Sequence, residues 1–360
     1  MKRIVFLFCL LSTSLHAETL PDLTLPVAPG AVFDSNSSVK LAMEMTTLLD
    51  DQFSNDHYAD IILDVTARLM GKFPGSTGPF RDDQGRTVFN DGESKEPQWH
   101  IEIDGNVNRR PVIEVTTPHV KSSRVEVFDR TMEVFNQMSA HPSREIGGGH
   151  IRVRIKKKNI NPAQMASFLK MYYSYQDIIN FSFRRDKRSH LMAAPMMDEK
   201  NHFEKFQLVL QKLQSGDKRS YEVHRQDNSA EWNMDLVGGF LRNRGIAYGL
   251  DGKSYDKFFD FNIGRLYRSY TNKEKDSMDF EFRLFDAPLD KAEARLHLKF
   301  MKAFFQLAMN TDSRFDRLYL GRMRMWRSNK DLYRENLLET LKILGLGFIE
   351  YEYLIDLNTY

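Results

Sequence analysis

The stretch HIRVRI, residues 150–155, decides the fold expected for this chain. Its polar side chains alternate with isoleucine and valine, so His150, Arg152 and Arg154 fall on one side of an extended segment. Because successive side chains of a β-strand point to opposite faces, the pattern predicts a strand with one polar and one apolar face. Ionised groups on a sheet face are costly unless they are paired, solvated or bound to a metal.

Four other short segments carry charged residues within apolar runs. They are KLAMEM at residues 40–45, IEID at 101–104, VIEVTTP at 112–118 and FEFRLF at 280–285. Their charged candidates are Glu44, Glu102, Asp104, Glu114, Glu281 and Arg283. Several strands of this kind predict a polar cleft whose floor is a β-sheet.

Helical segments alternate with these strands. The hydrophobic spacing predicts helices at residues 56–70, 125–138, 162–179, 201–213 and 291–309. Several strand pairs have connections too short for a parallel crossover, and the turn residues between 105 and 110 predict a hairpin. We therefore expect an α+β fold with a mostly antiparallel, curved sheet and helices packed on its outer side.

The chain divides into four parts by composition. Residues 1–17 have the layout of a secretory signal peptide, and residues 18–38 indicate an extended arm. We expect one catalytic domain at residues 39–312 and a C-terminal helical extension at 313–360. Residues 71–97 are dense in glycine, proline, aspartate and asparagine, which predicts a long loop or irregular hairpin and makes this segment a candidate lid.

The signal-peptide prediction rests on Lys2 and Arg3, the apolar run at residues 4–11 and the small residues before Ala17. Cleavage near Ala17 predicts an exported protein, periplasmic or secreted. The remaining chain would contain no cysteine, so its stability would come from its core rather than from disulfides.

Charge and hydropathy exclude two classes of partner. The chain has 51 basic and 49 acidic residues, and removing Lys2 and Arg3 leaves 49 of each. A neutral chain lacks the broad positive field that binds a phosphate backbone, so no nucleic-acid partner is expected. No stretch after the first 17 residues is apolar enough for an integral membrane segment.

The order of these segments resembles the amidoligase family, whose members are ATP-dependent carboxylate-amine ligases with the fold of glutamine synthetase and glutamate-cysteine ligase. The matching residues are Glu44 in LAMEM, Trp99 and Asp104 in WHIEID, Glu114 to Pro118 in EVTTP, Gly148 to Arg152 in GGHIR, and Glu281 to Arg283 in EFR. The resemblance covers about residues 39–310 and rests on the order of the motifs. The family's second glutamate is Thr46 here, and its second histidine is Arg152.

The resemblance implies ATP and Mg²⁺ as cofactors and a substrate, a small molecule or a peptide, that offers a carboxylate and an amine. By the same resemblance, Glu44, Glu114 and His150 would be metal ligands, and Glu281 and Arg283 would be catalytic. Arginines can hold phosphate or carboxylate groups. Arg184, Arg185 and Arg188 lie where the family often has arginines, so the resemblance makes Arg184 and Arg185, together with Arg152, candidates for cofactor binding and Arg188 a further catalytic candidate.

Three functions remain open from the sequence. The first is an exported ligase that forms an amide or peptide bond through an acyl phosphate. The second is a catalytically reduced relative that binds an acidic ligand or peptide in the same cleft, which Thr46 and Arg152 favour. The third is an amide hydrolase that uses the same site. The sequence contains none of the usual patterns G-x-S-x-G, H-E-x-x-H or the P-loop.

Overall fold

The computed structural model describes residues 20–53, 57–93, 99–140, 148–161, parts of 164–183 and of 261–276, and residues 277–310 and 330–354. The signal peptide predicted at residues 1–17 and the helix predicted at 201–213 lie outside these ranges, as does most of the first part of the C-terminal extension.

The described strands form one seven-stranded sheet in which all neighbours are antiparallel. Its order is β2-β3-β4-β5-β1-β6-β7. The strands are β1 (Val39–Leu48), β2 (Thr77–Arg81), β3 (Thr87–Asn90), β4 (Trp99–Val107), β5 (Arg110–Thr116), β6 (Gly148–Lys156) and β7 (Ser277–Asp286). The α+β class and the antiparallel sheet predicted from the sequence are confirmed.

The helices are α1 (Ser35–Ser38), α2 (Tyr58–Gly71), α3 (Glu126–Gln137), α4 (Lys291–Asn310), α5 (Lys330–Leu344) and α6 (Phe348–Tyr351), within the described ranges. Asp290 caps α4, since its Oδ1 accepts a hydrogen bond of 2.8 Å from the backbone N–H of Glu293. None of the described helices combines the length and the apolar character needed to cross a bilayer.

The hydrophobic core lies between the apolar face of the sheet and the helices. Phe280 and Phe282 of β7 are fully buried. The ring of Phe168 lies 5.1 Å from the ring of Phe280 and 5.1 Å from that of Phe305 on α4. Phe168 therefore joins the sheet to α4, and the opposite face of the sheet is left for polar residues.

The segment expected as an arm, residues 18–38, contributes to this core from residue 20 onward. Leu23, Leu25 and Phe33 are buried. Its backbone is held by polar side chains of α4: Lys302 Nζ donates to the carbonyl of Leu23 at 2.6 Å, and Asn310 bonds both the N–H and the carbonyl of Phe33.

The segment at residues 71–97, expected as a loop or irregular hairpin, forms a hairpin of β2 and β3 that extends the sheet. The ring of Phe89 stacks on that of Trp99 at 5.4 Å, and β3 pairs with β4 through its backbone. In the described part of this segment β3 pairs with β4 and β2 pairs with β3, so the hairpin forms an edge of the sheet, and its role as a lid stays a prediction.

The turn between β4 and β5 has the conformation that closes a two-residue hairpin. Asn108 and Arg109 adopt φ angles of 50° and 70°. Positive φ at both central residues is typical of the type I′ turn, whose twist matches that of the strands. The hairpin predicted between residues 105 and 110 is confirmed, and it places Glu102 opposite Glu114.

Candidate functional site

The strand pairing gathers the charged residues on one side of the sheet, which we call the polar face. A first row runs across four neighbouring strands: His100 of β4, Thr116 of β5, Glu44 of β1 and His150 of β6 are direct partners in register. Glu44 Oε1 contacts His150 Nδ1, and Glu44 Oε2 lies 3.5 Å from Thr116 Oγ1. Glu44 and His150 are 5% and 8% exposed, so these two members of the row are buried.

A second row forms an acidic end of the polar face. Glu102 of β4 lies opposite Glu114 of β5, and Thr46 of β1 lies on the other side of Glu114. Burial, followed by the charges of Glu102 and Asp104 and a hydrogen bond with Glu102, raises the pKa of Glu114 to about 8. The charge of Arg283 lowers the pKa of Glu114 and so opposes this shift in part. At neutral pH Glu114 therefore holds a proton beside a second carboxyl group.

A third row forms an arginine end. Arg152 of β6 lies opposite Glu281 of β7, with Arg152 Nε 3.3 Å from Glu281 Oε2, and Arg152 Nη2 also contacts Glu44. Glu281 is 2% exposed. It accepts a hydrogen bond from Arg283 Nη1 at 3.2 Å and one from Arg265 Nη1 at 2.7 Å.

The charge state of Glu281 follows from these partners. Burial by itself opposes its ionisation, but the charges of Arg152 and Arg265, with His150 and a hydrogen bond from Asn262, hold the pKa of Glu281 well below its usual range. Glu281 is therefore a carboxylate at neutral pH, in contrast to Glu114.

A glycine lets β6 and β7 approach closely beside these groups. A Cβ atom placed on Gly149 would lie 2.2 Å from the carbonyl oxygen of Asp286. The pairing of β6 with β7 shifts register between Gly149 and Ile151, next to His150. Any side chain at position 149 would force β7 away, so the glycine of the GGH motif is required by this contact.

Arg154 and Asp279 form a separate ion pair beyond the third row. Arg154 Nε lies 2.6 Å from Asp279 Oδ1, and Arg154 Nη2 lies 3.1 Å from Oδ2. Burial opposes the ionisation of Asp279, but the hydrogen bond from Arg154 and the neighbouring cations lower its pKa to about 2. Bidentate arginine–carboxylate pairs of this kind fix the orientation of both side chains as well as adding electrostatic stabilisation.

The structure brings six of the predicted site residues together on the polar face: Glu44, Glu114, His150, Arg152, Glu281 and Arg283. Arg184, Arg185 and Arg188 lie outside the described residues. The set Glu44, Glu114 and His150 does not form one three-ligand cluster, since no group of three His, Cys, Asp or Glu side chains in the described part of the chain could hold a metal ion.

Sequence reasoning did not single out His100 or Arg265. His100 Nδ1 lies 3.7 Å from Asp82 Oδ2, and burial, followed by the charge of Arg86, lowers the pKa of His100 to about 4. The position of His100 two residues before Glu102 was a usable signal. Arg265 lies in a segment without clear periodicity, so its approach to Glu281 depends on tertiary structure alone.

Comparisons with known proteins give weak similarities. No protein-family model matches the sequence, and no curated protein matches it. A bifunctional glutathione synthetase from Pasteurella multocida aligns with a TM-score of 0.39 and 12% identity over 90% of this chain and 48% of that chain. The complex between the prokaryotic ubiquitin-like protein Pup and its ligase PafA aligns with a TM-score of 0.32 and 9% identity. That alignment covers 90% of this chain and 64% of the other chain.

This chain therefore spans about half the length of the first of these proteins and just under two thirds of the second. Similarities with TM-scores of 0.39 and 0.32 carry no argument about activity.

Proposed function

We propose that this chain is an ATP- and Mg²⁺-dependent carboxylate-amine ligase with a glutamine synthetase-like catalytic fold. The observation that carries the proposal is the division of one sheet face into an acidic end at Glu102 and Glu114 and an arginine end at Arg152, Arg265 and Arg283. A site that binds a metal-nucleotide complex needs both kinds of group side by side.

The acidic end offers two carboxyl groups to Mg²⁺, which proteins bind through one or two carboxylates together with substrate phosphates. Glu102 and Glu114 face each other, and burial, followed by the charges of Glu102 and Asp104, raises the pKa of Glu114. Carboxylate oxygens are the ligands that Mg²⁺ prefers. Mg²⁺ bound there would neutralise phosphate charge, and Glu114 with its neighbours would hold it.

The arginine end suits the transferred phosphoryl group. Fixed guanidinium groups stabilise charge that develops on phosphoryl oxygens in a site shielded from water. Arg283 Nη1 is held by Glu281 at 3.2 Å, and its charge also acts on Glu114 at the acidic end. Arg283 is therefore suited to lie between the metal and the phosphate.

The proposed reaction has two steps. A substrate carboxylate oxygen attacks the terminal phosphorus of ATP, the bond to ADP breaks, and an acyl phosphate forms. The amine of a second small-molecule or peptide substrate then attacks the acyl carbon, phosphate leaves, and the nitrogen loses a proton. We propose that Glu281 acts here by fixing Arg152, Arg265 and Arg283.

A second candidate function is supported by the contacts of Glu44. This predicted metal ligand contacts both Arg152 and His150, and an arginine in that position opposes a cation. A catalytically reduced relative would keep the arginine end and use it to bind an acidic ligand or peptide without phosphoryl transfer.

Calorimetric titration of ADP, with and without Mg²⁺, tests between these functions. The ligase requires nucleotide binding that Mg²⁺ strengthens and that Arg283→Ala weakens by about tenfold, the loss of one charge-assisted hydrogen bond. Arg68→Ala, an exposed arginine of α2 paired with Asp64, is the matched control. A flat titration at millimolar ADP, together with binding of an acidic peptide, would favour the reduced relative.

We further propose that the protein is exported after cleavage near Ala17. The basic, apolar and small-residue order of residues 1–17 supports this. Cell fractionation followed by N-terminal sequencing tests it: export predicts a periplasmic or secreted form that begins near residue 18, and a cytoplasmic form that begins at Met1 would contradict it.

A further inference from the structure

Arg265 reaches the polar face from a segment outside the strands. Phe261 forms an isolated bridge with Phe282, and the backbone N–H of Asn262 donates to the carbonyl of Glu281 at 2.9 Å. The backbone N–H of Arg265 donates to Asn262 Oδ1 at 2.9 Å. These bonds dock the segment on β7 and direct the Arg265 side chain to the Glu281 carboxylate.

Glu281 has little capacity to accept more donors from Arg265. Its Oε1 accepts from Asn262 Nδ2 at 2.9 Å and from Arg283, while its Oε2 faces Arg265 and Arg152. A carboxylate offers about four acceptor positions. Hydrogen bonds from Asn262, Arg283 and Arg265 occupy three of them, and Arg152 Nε lies 3.3 Å from Oε2 as an ion-pair contact.

Arg265 keeps hydrogen-bond donors that no described residue accepts. A guanidinium carries about five N–H donors, and within the described ranges the Arg265 side chain uses Nη1 on Glu281. Its Nε is buried and has no partner there. Arg154, by contrast, is bonded to both oxygens of Asp279. A buried donor without an acceptor is unfavourable, so Arg265 is suited to receive an oxyanion.

The charge of Arg265 also extends over the polar face. It lowers the pKa of His100 on β4, after burial and Arg86, and the pKa of His119, after burial and Arg154. His100 belongs to β4, which is separated from β7 by β5, β1 and β6 in the sheet. The positive charge of Arg265 is therefore felt in the interior of the polar face as well as at its β7 edge.

We propose that Arg265 is an oxyanion-binding residue of the polar face, where its guanidinium takes a carboxylate or phosphoryl oxygen of the bound ligand. The Glu281 carboxylate and the Asn262 side chain hold the arginine in place. The proposal rests on the proposed function only in taking the polar face as the ligand site. The oxyanion has two sources, a substrate carboxylate or a nucleotide phosphate.

Calorimetry with two probes distinguishes these sources. ADP with Mg²⁺ and L-glutamate are titrated separately into the wild-type protein, Arg265→Ala, Arg265→Lys and the control Arg68→Ala. We expect Arg265→Ala to weaken binding of at least one probe by about tenfold or more, and Arg265→Lys to restore part of it because the charge is kept. Thermal unfolding of each variant shows whether it is folded.

The outcomes separate this inference from the proposed function. If the wild type binds L-glutamate but not ADP, and Arg265→Ala loses that binding, the ligase proposal fails and the assignment of Arg265 stands. If folded Arg265→Ala binds both probes as the wild type does, the assignment is overturned while the ligase proposal survives. Wild-type protein that binds neither probe overturns the assignment as well.

Discussion

Glu102 and Glu114 lie directly opposite each other on antiparallel neighbours β4 and β5, and they form the acidic end of the polar face. Burial and the neighbouring carboxylates raise the pKa of Glu114 to about 8, whereas arginines keep Glu281, at the other end, ionised. Two glutamates on one face thus differ in protonation because their neighbours differ.

The first prediction concerns stability and pH. The pKa of Glu114 is about 8 in the folded state and 4.5 in the unfolded state. Its contribution to the free energy of unfolding is therefore fully present below pH 4.5 and is lost as the pH rises through 8. Glu114→Gln removes this loss. We measure the free energy of unfolding in urea for both proteins, in acidic and in alkaline buffer. From the acidic to the alkaline buffer, the stability of the variant relative to the wild type should rise by about 1–3 kcal/mol. A constant difference between the two proteins would contradict the assignment.

The second prediction concerns the ion network around Glu281. Glu281→Gln leaves Arg152, Arg265 and Arg283 without their shared carboxylate, and we expect a loss of about 3–5 kcal/mol in the free energy of unfolding at neutral pH. Because the pKa of Glu281 is lowered, the difference from wild type should shrink as the pH falls below 4.5.

Denaturant unfolding at neutral and acidic pH measures this effect. Glu335→Gln on the exposed side of α5 is the matched control and should change stability by less than about 0.5 kcal/mol. Equal stability of Glu281→Gln and the control would show that the network does not stabilise the fold.

The third prediction concerns Gly149. Alanine at this position would place Cβ 2.2 Å from the Asp286 carbonyl oxygen, so β6 and β7 must separate. We expect a loss of about 1–3 kcal/mol and faster hydrogen exchange in β7. Gly71→Ala is the control, because a Cβ there meets nothing within 4 Å. Unchanged exchange in β7 would mean that the close approach is not required.

The fourth prediction concerns the anchoring of residues 20–38. Burial lowers the pKa of Lys302 to about 8, and its Nζ donates to the Leu23 carbonyl and to Asn36 Oδ1, both at 2.6 Å. Lys302→Met removes the side-chain donor of the Leu23 carbonyl and leaves Asn36 Oδ1 with the Leu25 N–H alone, which should cost about 1–3 kcal/mol and speed hydrogen exchange in residues 23–36.

The sign of the pH effect provides a second check on Lys302. Its folded pKa of about 8 is below the ordinary 10.5, so wild-type stability should rise with pH between these values, and Lys302→Met should lack this rise. The exposed Lys342→Met on α5 is the control. A variant that follows the wild-type pH dependence would contradict the shift.

Alternation along single strands was sufficient to predict the polar face. His150, Arg152 and Glu281 share that face because side chains two apart in a strand point the same way. The β4–β5 hairpin was predictable for a similar reason, since its turn residues are adjacent in the sequence.

Other features depend on contacts between distant residues. The sequence does not reveal that Phe89 stacks on Trp99 and so brings residues 77–90 into the sheet. It also does not reveal that Lys302 binds Leu23, across 279 positions. Arg265 was missed for the same reason: its partner Glu281 is set by docking on β7 and not by local periodicity.

The proposed function requires the acidic end of the polar face to bind Mg²⁺ with a nucleotide. The most direct measurement is the affinity for ADP, by calorimetry, with and without Mg²⁺ in the wild type, Glu114→Gln and Glu335→Gln. We expect Mg²⁺ to strengthen ADP binding by about tenfold or more in the wild type and Glu335→Gln and by less than about twofold in Glu114→Gln. An equal Mg²⁺ effect in all three proteins, or no nucleotide binding by the wild type, would contradict it.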